Sequence, residues 1–556
     1  MLRSTYVEPT SKALVPHPAL LVAVLLLTAL SGVYLPYLHN PFLFDDLHIF
    51  NGTTVYDYAT ELWRPQIRWI PYATLAHVHV LTDGSIGANR LGNMLLHGAN
   101  AIAVYVLLNQ LLTATQSPKV NASTRVNLIC ALLAAALFAV HPVAVYGVGY
   151  LIQRPILMST LFMLLMLITW TRWLTGGRNA LWGWTVFWYV CSVYSKEHSV
   201  AAPALALLLA VTLRQPSFAL ARSLVWPMAA MGIVAITVTV MVKGVLGAAY
   251  EPLSAAMFAD LLGSEAPRHA YSLSILTQTW LYFKYMFLWI FPDVSRMSMD
   301  MREPFAASFT QWPYWIAVFA FAGYALLAVY LAMQRGRRGL VGWLLAYPWI
   351  MFLTELSTVR VQEPFVLYRA YLWFPLFAAL IPIVLCRVGA RFAIAAVAGI
   401  VCVLVPLSWN RLASLSDLFV AWNDAARLIR DEKDLGALRI YYNRALALSG
   451  KGKKVEALSD LNKVIAEKPE LAPIRLERAR VHFDLKQYPQ ALEDMNASIR
   501  SDPSRAASYY ARAMTLKRLG RDDDAKSDLR KSCELNDVLG CFAIQQLEMA
   551  GVPVLR

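Results

Sequence analysis

An all-α protein is expected from this chain, a polytopic membrane helix bundle followed by an α-solenoid, and three observations lead there. Of its 556 residues, 58% are hydrophobic and only 15% charged, and the mean hydropathy is +0.47, too apolar for a soluble chain of this length. Up to about Leu407 the apolar stretches recur at bilayer length, roughly 20 residues each. From Arg411 onward the sequence turns charged and amphipathic, and it repeats. The division expected is a multispanning domain over 1–410, a connector helix over 411–437 and a solenoid over 438–556.

About twelve spans are expected, at 15–38, 91–114, 126–145, 155–174, 181–194, 197–213, 223–246, 276–292, 312–333, 340–355, 366–386 and 391–408. The first is too long for a signal peptide and lacks a small-residue cleavage site, so it reads as a retained helix. Arginines in short loops (Arg172 with Arg178, Arg214 with Arg222, Arg335 with Arg337 and Arg338, Arg387 with Arg391) set the orientation, since short cytoplasmic loops are enriched in Lys and Arg. With those loops inside, the segment after the first span and the solenoid share the outer side. Between Met241 and Trp312 this parity needs one more crossing than the single visible span. Gln278 to Phe291 is therefore read as re-entrant, or as partnered by a helix near Leu253 to Leu262. The formal net charge of +14 does not point to nucleic acid, because no basic stripe interleaved with aromatics accompanies it.

The solenoid is read by subtraction. Ala445, Ala479 and Ala513 are spaced by 34, as are Ala457, Ala491 and Ala525, and Leu461, Met495 and Leu529. Small residues where paired helices approach, at this period, are the tetratricopeptide signature, and Pro469 and Pro503 stop the second helix of a pair. Three repeats are placed at 438–471, 472–505 and 506–539, with a capping helix after them. Arg475 stands where the other two repeats carry Tyr441 and Tyr509. Solenoids of this kind offer a concave surface to a peptide or partner protein.

Cys130, Cys191, Cys386 and Cys402 fall in apolar spans and read as small core residues. Cys533 and Cys541 bracket a turn and are expected to pair if the solenoid lies in an oxidising compartment. No metal-ligand spacing and no Gly-rich phosphate loop occurs, so neither a nucleotide sugar nor ATP is supported as direct substrate. No metal ligand set is identified, and a divalent-metal requirement stays open.

Polar groups at the ends of the spans gather on the outer side. The pair Asp45 and Asp46 follows the first span, with Arg64 and Arg68 in the same loop. His141 and Arg154 bracket the next outer segment, Lys196-Glu197-His198 joins two spans, and Arg360, Glu363 and Arg369 precede the eleventh. Taken singly, such groups are snorkelling side chains or topological anchors. Together they suit group transfer: Asp45 and Asp46 as catalytic carboxylates able to take a proton from an acceptor hydroxyl, and Arg154, Lys196, Arg369, His141 and Arg360 as holders of a leaving phosphate. Glu197, Glu363 and Arg68 read as their support.

Phe44-Asp-Asp46, Arg90-Leu-Gly-Asn-Met-Leu-Leu-His97, His141-Pro-Val through Gln153-Arg154, Ser195-Lys-Glu197 and Tyr368-Arg-Ala-Tyr-Leu372 carry a resemblance over nearly the whole chain. The sequence resembles the transmembrane and tetratricopeptide-repeat O-mannosyltransferase family, and also bacterial pilin and protein O-glycosyltransferases of the C-type (GT-C) membrane fold. That resemblance implies a polyprenyl-phosphate sugar donor, transfer on the lumenal or periplasmic face, and an acidic pair in the first outer loop, here Asp45 and Asp46, as base and acceptor positioner. Two departures bear on sugar and acceptor. The chain reads Tyr368-Arg-Ala-Tyr-Leu372 where eukaryotic members read like Glu-Arg-Tyr-Leu-Tyr, and it has fewer repeats than they carry. The function expected is transfer of a sugar to Ser or Thr of a protein recruited by the repeats, at a bacterial inner membrane, with site and solenoid facing the periplasm. A glycolipid or lipopolysaccharide acceptor is the alternative, and a non-enzymatic scaffold or a transporter is the remaining rival. A transporter would place its charges at broken helices near mid-membrane.

Overall fold

The computed structural model describes residues 18–116, 124–214, 216–242, 244, 246, 266–431 and 434–549. Among them the only strand-like feature is an isolated bridge between Met301 and Phe365; the rest is helix and loop. Seven helices are long and apolar enough to cross a membrane, or up to nine if each of two bent pairs counts as one span. The expected twelve exceed that for physical reasons. Ala180–Ser195 and Glu197–Leu213 are shorter than a bilayer-spanning helix. Ala266–Ile290 is long enough, but His, Ser, Thr, Gln and Lys interrupt its apolar face.

That helix lies in the segment where the parity of crossings was in question. His269, near its start, packs edge-on against Phe309 at 5.5 Å. Leu273 shares a cluster with Leu435 of the segment leading into the solenoid. At its far end the Trp289 carbonyl contacts His141 Nε2 at 3.2 Å, and just beyond it the Met297 carbonyl accepts from Arg411. In between, Gln278 donates to Pro364 O at 2.9 Å and Tyr285 to Val366 O at 3.1 Å. Gln278 to Ile290 is thus part of one longer helix, Ala266–Ile290, which packs along its length against the approach to the solenoid. The partner helix expected near Leu253 to Leu262 lies outside the described residues.

Both bent pairs owe their break to proline. Thr124–Ala139 and Pro142–Val148 meet at 50°, and Leu367–Trp373 and Phe377–Val388 at 64°, with Pro142 and Pro375 at the breaks. Irregular backbone at membrane depth needs internal partners, and one face of the long helix Ile86–Ala114 supplies them. Arg90 donates to Gly149 O and Pro41 O, each at 2.7 Å. Asn93 reaches Leu151 O at 3.3 Å, His97 lies 3.0 Å from Ala139 O and 2.6 Å from the Tyr371 hydroxyl, and Asn100 donates to Leu157 O at 3.0 Å. These residues recur every three or four positions, so one helix face clamps the segments at both breaks.

After the last long helix, Ala390–Ala413, a short helix Leu418–Ala426 leads into paired antiparallel helices: Ala437–Gly450 with Lys454–Glu467, Ala472–Asp484 with Tyr488–Ser501, Ala506–Arg518 with Asp522–Glu534, then Val538–Met549. A second 34-residue periodicity, polar, runs beside the alanines. Arg444 grips Asp460 with two bonds of 2.7 Å, Arg478 grips Asp494 at 2.7 and 2.6 Å, and Arg512 grips Asp528 at 2.6 and 2.7 Å. The same guanidinium groups reach back one unit, to Asn423, Asn462 and Asn496 at 3.4, 2.7 and 2.8 Å. Each bidentate pair therefore fixes one helix pair and ties it to its predecessor. Arg475, in place of an aromatic, adds a second arginine on Asp494 at 3.2 Å. Asp494→Ala is expected to cost the solenoid about 2 kcal/mol, the scale of hydrogen bonds to charged groups. Thermal unfolding of the full chain checks this, and an unchanged solenoid transition would remove the ladder as a source of stability. Cys533 and Cys541 form a disulfide with a Cα–Cα distance of 4.5 Å, tying the last pair to the terminal helix.

Candidate functional site

Asp45 and Asp46 open the short helix Asp45–Phe50, preceded by Phe44 at φ 49° and ψ −118°. A bulky residue held there is strained by roughly 1–3 kcal/mol. Its ring is pinned edge-on between Trp422 at 4.9 Å and Tyr150 at 6.0 Å. The two acids then part company, because successive helical residues point about 100° apart. Asp46 is fully buried, and its oxygens accept from Ile152 N at 2.9 Å and Leu43 N at 3.2 Å. Burial pushes its carboxyl up to about 7, against the pull of those two N–H groups and Arg90. Asp46 thus joins the loop at Leu43 to the one at Ile152 and is not exposed to a substrate, which corrects its reading as a catalytic carboxylate beside Asp45.

Asp45 is exposed and lines a polar cavity of about 50 Å³ with Tyr150, Asp300, Glu363, Tyr368 and Arg439. Trp422 and Arg439 come from beyond the last long helix, so the solenoid end of the chain roofs the cavity. Arg439 lies 3.2 Å from Glu363 and 3.7 Å from Asp300. Gly436, at φ 85°, makes this approach possible: a Cβ there would stand 2.5 Å from the Arg302 guanidinium.

Beside the cavity lies an ionic cluster. Glu355, 1% exposed, is 3.0 Å from His198 Nε2, 3.2 Å from Arg369 and 3.4 Å from Arg360. Glu197 pairs with Arg68, whose Nε donates at 2.9 Å, and lies 3.3 Å from His198. Arg68 itself sits at φ 66°, with its N–H bonded to Tyr194 O at 2.7 Å. Burial alone would raise Glu363, but Arg369 and Arg439 beside it hold it below the usual carboxylate range. Tyr368 lies within electrostatic reach of Asp45, Glu363, Arg360 and Arg369, which makes cavity and cluster neighbours.

Within the cluster Lys196 differs from every arginine. It is 8% exposed, and among the described residues its ammonium has neither a hydrogen bond nor an ion pair. Burial pushes it down to about 7, and Arg68, Arg369 and Arg360 repel it further, against the pull of Glu197. A buried amine whose charge only Glu197 offsets is costly to protonate and fits a site that receives an anion.

Arg154 and His141 do not join this cluster. Arg154 donates to Asn93 Oδ1 and Asn89 O, both at 2.8 Å, passing over Gly92, where a Cβ would stand 2.8 Å away. With Thr74 Oγ1 and Asn89 Oδ1 as further acceptors at 3.4 and 3.3 Å, it is an interhelical brace. His141 caps the turn at Pro142 and stacks on Trp289 at 4.3 Å, lining an apolar groove with Ile400 and Leu404. Their assignment to phosphate is corrected accordingly. Conversely, sequence reasoning missed Glu355, which sits at the end of an apolar stretch, and Trp422, Asp300 and Arg439, which reach the site from other segments. Only a two-residue spacing, Asp300 to Arg302, hinted at charge pairing there.

Residues 506–538 match the family model of the tetratricopeptide repeat. The third helix pair is a tetratricopeptide repeat. The chain is also similar to the DnaJ protein P58IPK homolog of Arabidopsis thaliana, 36% identical over 58 residues, which make up 10% of this chain and 12% of that protein. The chain thus spans only a small part of that relative's length. A tetratricopeptide repeat joined to a bundle of membrane-length helices is consistent with protein interaction at a membrane.

Proposed function

We propose that the chain is a membrane glycosyltransferase of the GT-C kind, similar to the O-mannosyltransferase and pilin glycosyltransferase families, which transfers a sugar from a polyprenyl-phosphate donor to a Ser or Thr hydroxyl of a protein engaged by the repeats. The observation that carries this reading is the exposed carboxylate of Asp45 beside a cation cluster in which, among the described residues, the Lys196 ammonium has no hydrogen bond or close ion pair. A group transfer from a phosphate needs both at once, a base for the nucleophile and positive charge for the leaving group.

In the proposed reaction the acceptor hydroxyl gives its proton to an Asp45 carboxylate oxygen and attacks the anomeric carbon. The bond from that carbon to the lipid phosphate oxygen breaks, and its electron pair leaves on the phosphate, where Lys196, Arg360 and Arg369 face the charge. A single displacement inverts the anomeric centre. Asp46, Arg90 and Arg154 hold the loops that carry Asp45. The cavity at Asp45 has room for about a hydroxyl group and a water, and Arg439 docks the first helix pair of the solenoid over it through Glu363 and Asp300. Arg439→Ala is therefore expected to lower transfer to a full-length protein acceptor about tenfold, one broken charged hydrogen bond being worth about 1.5–3 kcal/mol, while a short peptide acceptor is affected less. Equal losses for both would mean that the contact serves stability alone.

The test is the intact mass of secreted and pilus-like proteins from cells carrying the wild-type chain or Asp45→Asn at equal level. A sugar-sized mass lost only in the variant supports the reading. Unchanged protein masses with an altered lipid fraction would replace the protein acceptor by a glycolipid, and no change in either would end the enzymatic reading. Localisation at a bacterial inner membrane with the repeats in the periplasm belongs to the same proposal, and the Cys533–Cys541 disulfide agrees with an oxidising compartment.

A further inference from the structure

On the far side of Met301 and Phe365 from the Asp45 cavity, where the helix Ala266–Ile290 meets the approach to the solenoid, two cavities of about 230 and 460 Å³ adjoin and share Lys284, Arg296, Glu303 and Arg430. Arg302 and Arg427 complete the lining of the smaller one. Five cations thus surround one opening that holds a single carboxylate. The acidic groups nearby are already engaged: Glu303 with Lys284, Asp293 with Arg296, Asp300 with Arg302, and Asp434 with the Asp431 N–H. Arg427 and Arg430 are exposed, and among the described residues neither guanidinium has a hydrogen bond or an ion pair; Asp424, within electrostatic reach of Arg427, is already paired with Arg411.

The opening also lies at the head of a membrane-length helix. The larger cavity is lined by Trp312, Pro313 and Tyr314, the residues that start the membrane-length helix Tyr314–Ala332, most of whose surface faces outward. Trp312 is 70% and Phe291 61% exposed, and the Arg296 guanidinium lies over Phe287 at 5.8 Å. Exposed aromatics beside cations at the head of a span form an interfacial belt. A phosphate there would meet unpaired arginines above and lipid-facing rings below.

We propose that this cleft binds the phosphate headgroup of an anionic phospholipid from the leaflet on the solenoid side, with Arg427 and Arg430 as its principal contacts. The lipid bridges the membrane domain and the segment carrying the repeats, and its site is independent of the glycosyl-transfer reading.

The experiment is native mass spectrometry of the full-length chain in detergent, supplied with phosphatidylglycerol or phosphatidylcholine at equal concentration. The wild type should retain phosphatidylglycerol preferentially, and excess inorganic phosphate should not displace it. Arg427→Gln/Arg430→Gln should hold its tightest phosphatidylglycerol about 30-fold less well, from about 1 kcal/mol for each basic residue at an anionic surface. Arg427→Lys/Arg430→Lys should stay within a few fold of wild type. Equal retention of the two lipids by the wild type overturns the proposal without recourse to any variant. So does unchanged retention in the glutamine variant, or displacement by inorganic phosphate, which would make the site one for a soluble anion.

Discussion

Asp45→Asn is expected to lower the transfer rate by about 10²–10⁴-fold, the usual contribution of a general base, without changing the melting temperature. Its side chain is exposed, and the backbone N–H that holds it to the Tyr150 hydroxyl at 2.9 Å is untouched by the substitution. Asp46→Asn should behave in the opposite manner. Its two acceptor oxygens serve two backbone N–H groups, and an amide leaves one of them facing a donor, at a cost of about 1–3 kcal/mol. The paired measurement is a single-turnover rate with a lipid-phosphate sugar donor beside a thermal melt of each variant. Full activity in Asp45→Asn would sink the base assignment. A destabilised Asp45→Asn would show that it, too, is a structural acid.

The second large effect belongs to Lys196. Lys196→Met should reduce transfer by about 10²-fold or more, as removal of one preorganised donor to a developing anion does, and yet raise the stability of the free protein. Burial holds this amine near 7, below its ordinary value of 10.5. Between those two pH values the unfolded chain binds the extra proton and the folded one does not, so folded stability rises as pH climbs from about 7 towards 10.5. Below 7 the folded state bears the buried charge in full. Phosphate binding needs that charge, so transfer at low donor concentration should fall over the range in which stability rises. The methionine variant should flatten the Lys196 contribution to both curves. Melting curves and initial rates from pH 6 to 10 read the two trends, and parallel trends, or a variant that melts lower, would remove Lys196 from the phosphate site.

Much of the architecture was legible because it rests on periodicity. Apolar runs of bilayer length mark the helices, and the spacing of Ala445, Ala479 and Ala513 marks the solenoid. The Arg444–Asp460 ladder was equally available at the same period, but attention to small and apolar positions passes over it. Hydropathy misled at Ala266–Ile290, where tyrosines and tryptophans supply apolar bulk while Gln278 and Lys284 satisfy loops of one face. The site was legible as a collection and not as a geometry. Arg68, Lys196, Glu197, Arg360, Glu363 and Arg369 do gather, since span ends on one side share a surface. Sequence adjacency, however, could not separate Asp45 from Asp46, which differ only by the turn of a helix. Arg154 belongs to a motif, yet its guanidinium is consumed by Asn89 and Asn93. Glu355, the residue on which two arginines and a histidine converge, has no neighbour in sequence to announce it.

The docking of the first helix pair, through Arg439, Gly436 and the Trp422–Phe44 contact, gives the array a fixed and a free end. The contacts described above between the array and the membrane bundle come from the segment before Arg444, and each later pair packs on its neighbours through the arginine ladder and shared apolar clusters. Repeats could therefore be gained or lost at the distal end, the one closed by Cys533 and Cys541, without moving any atom near Asp45. Reach and recognition can diversify along the array while the chemistry at its base stays constant.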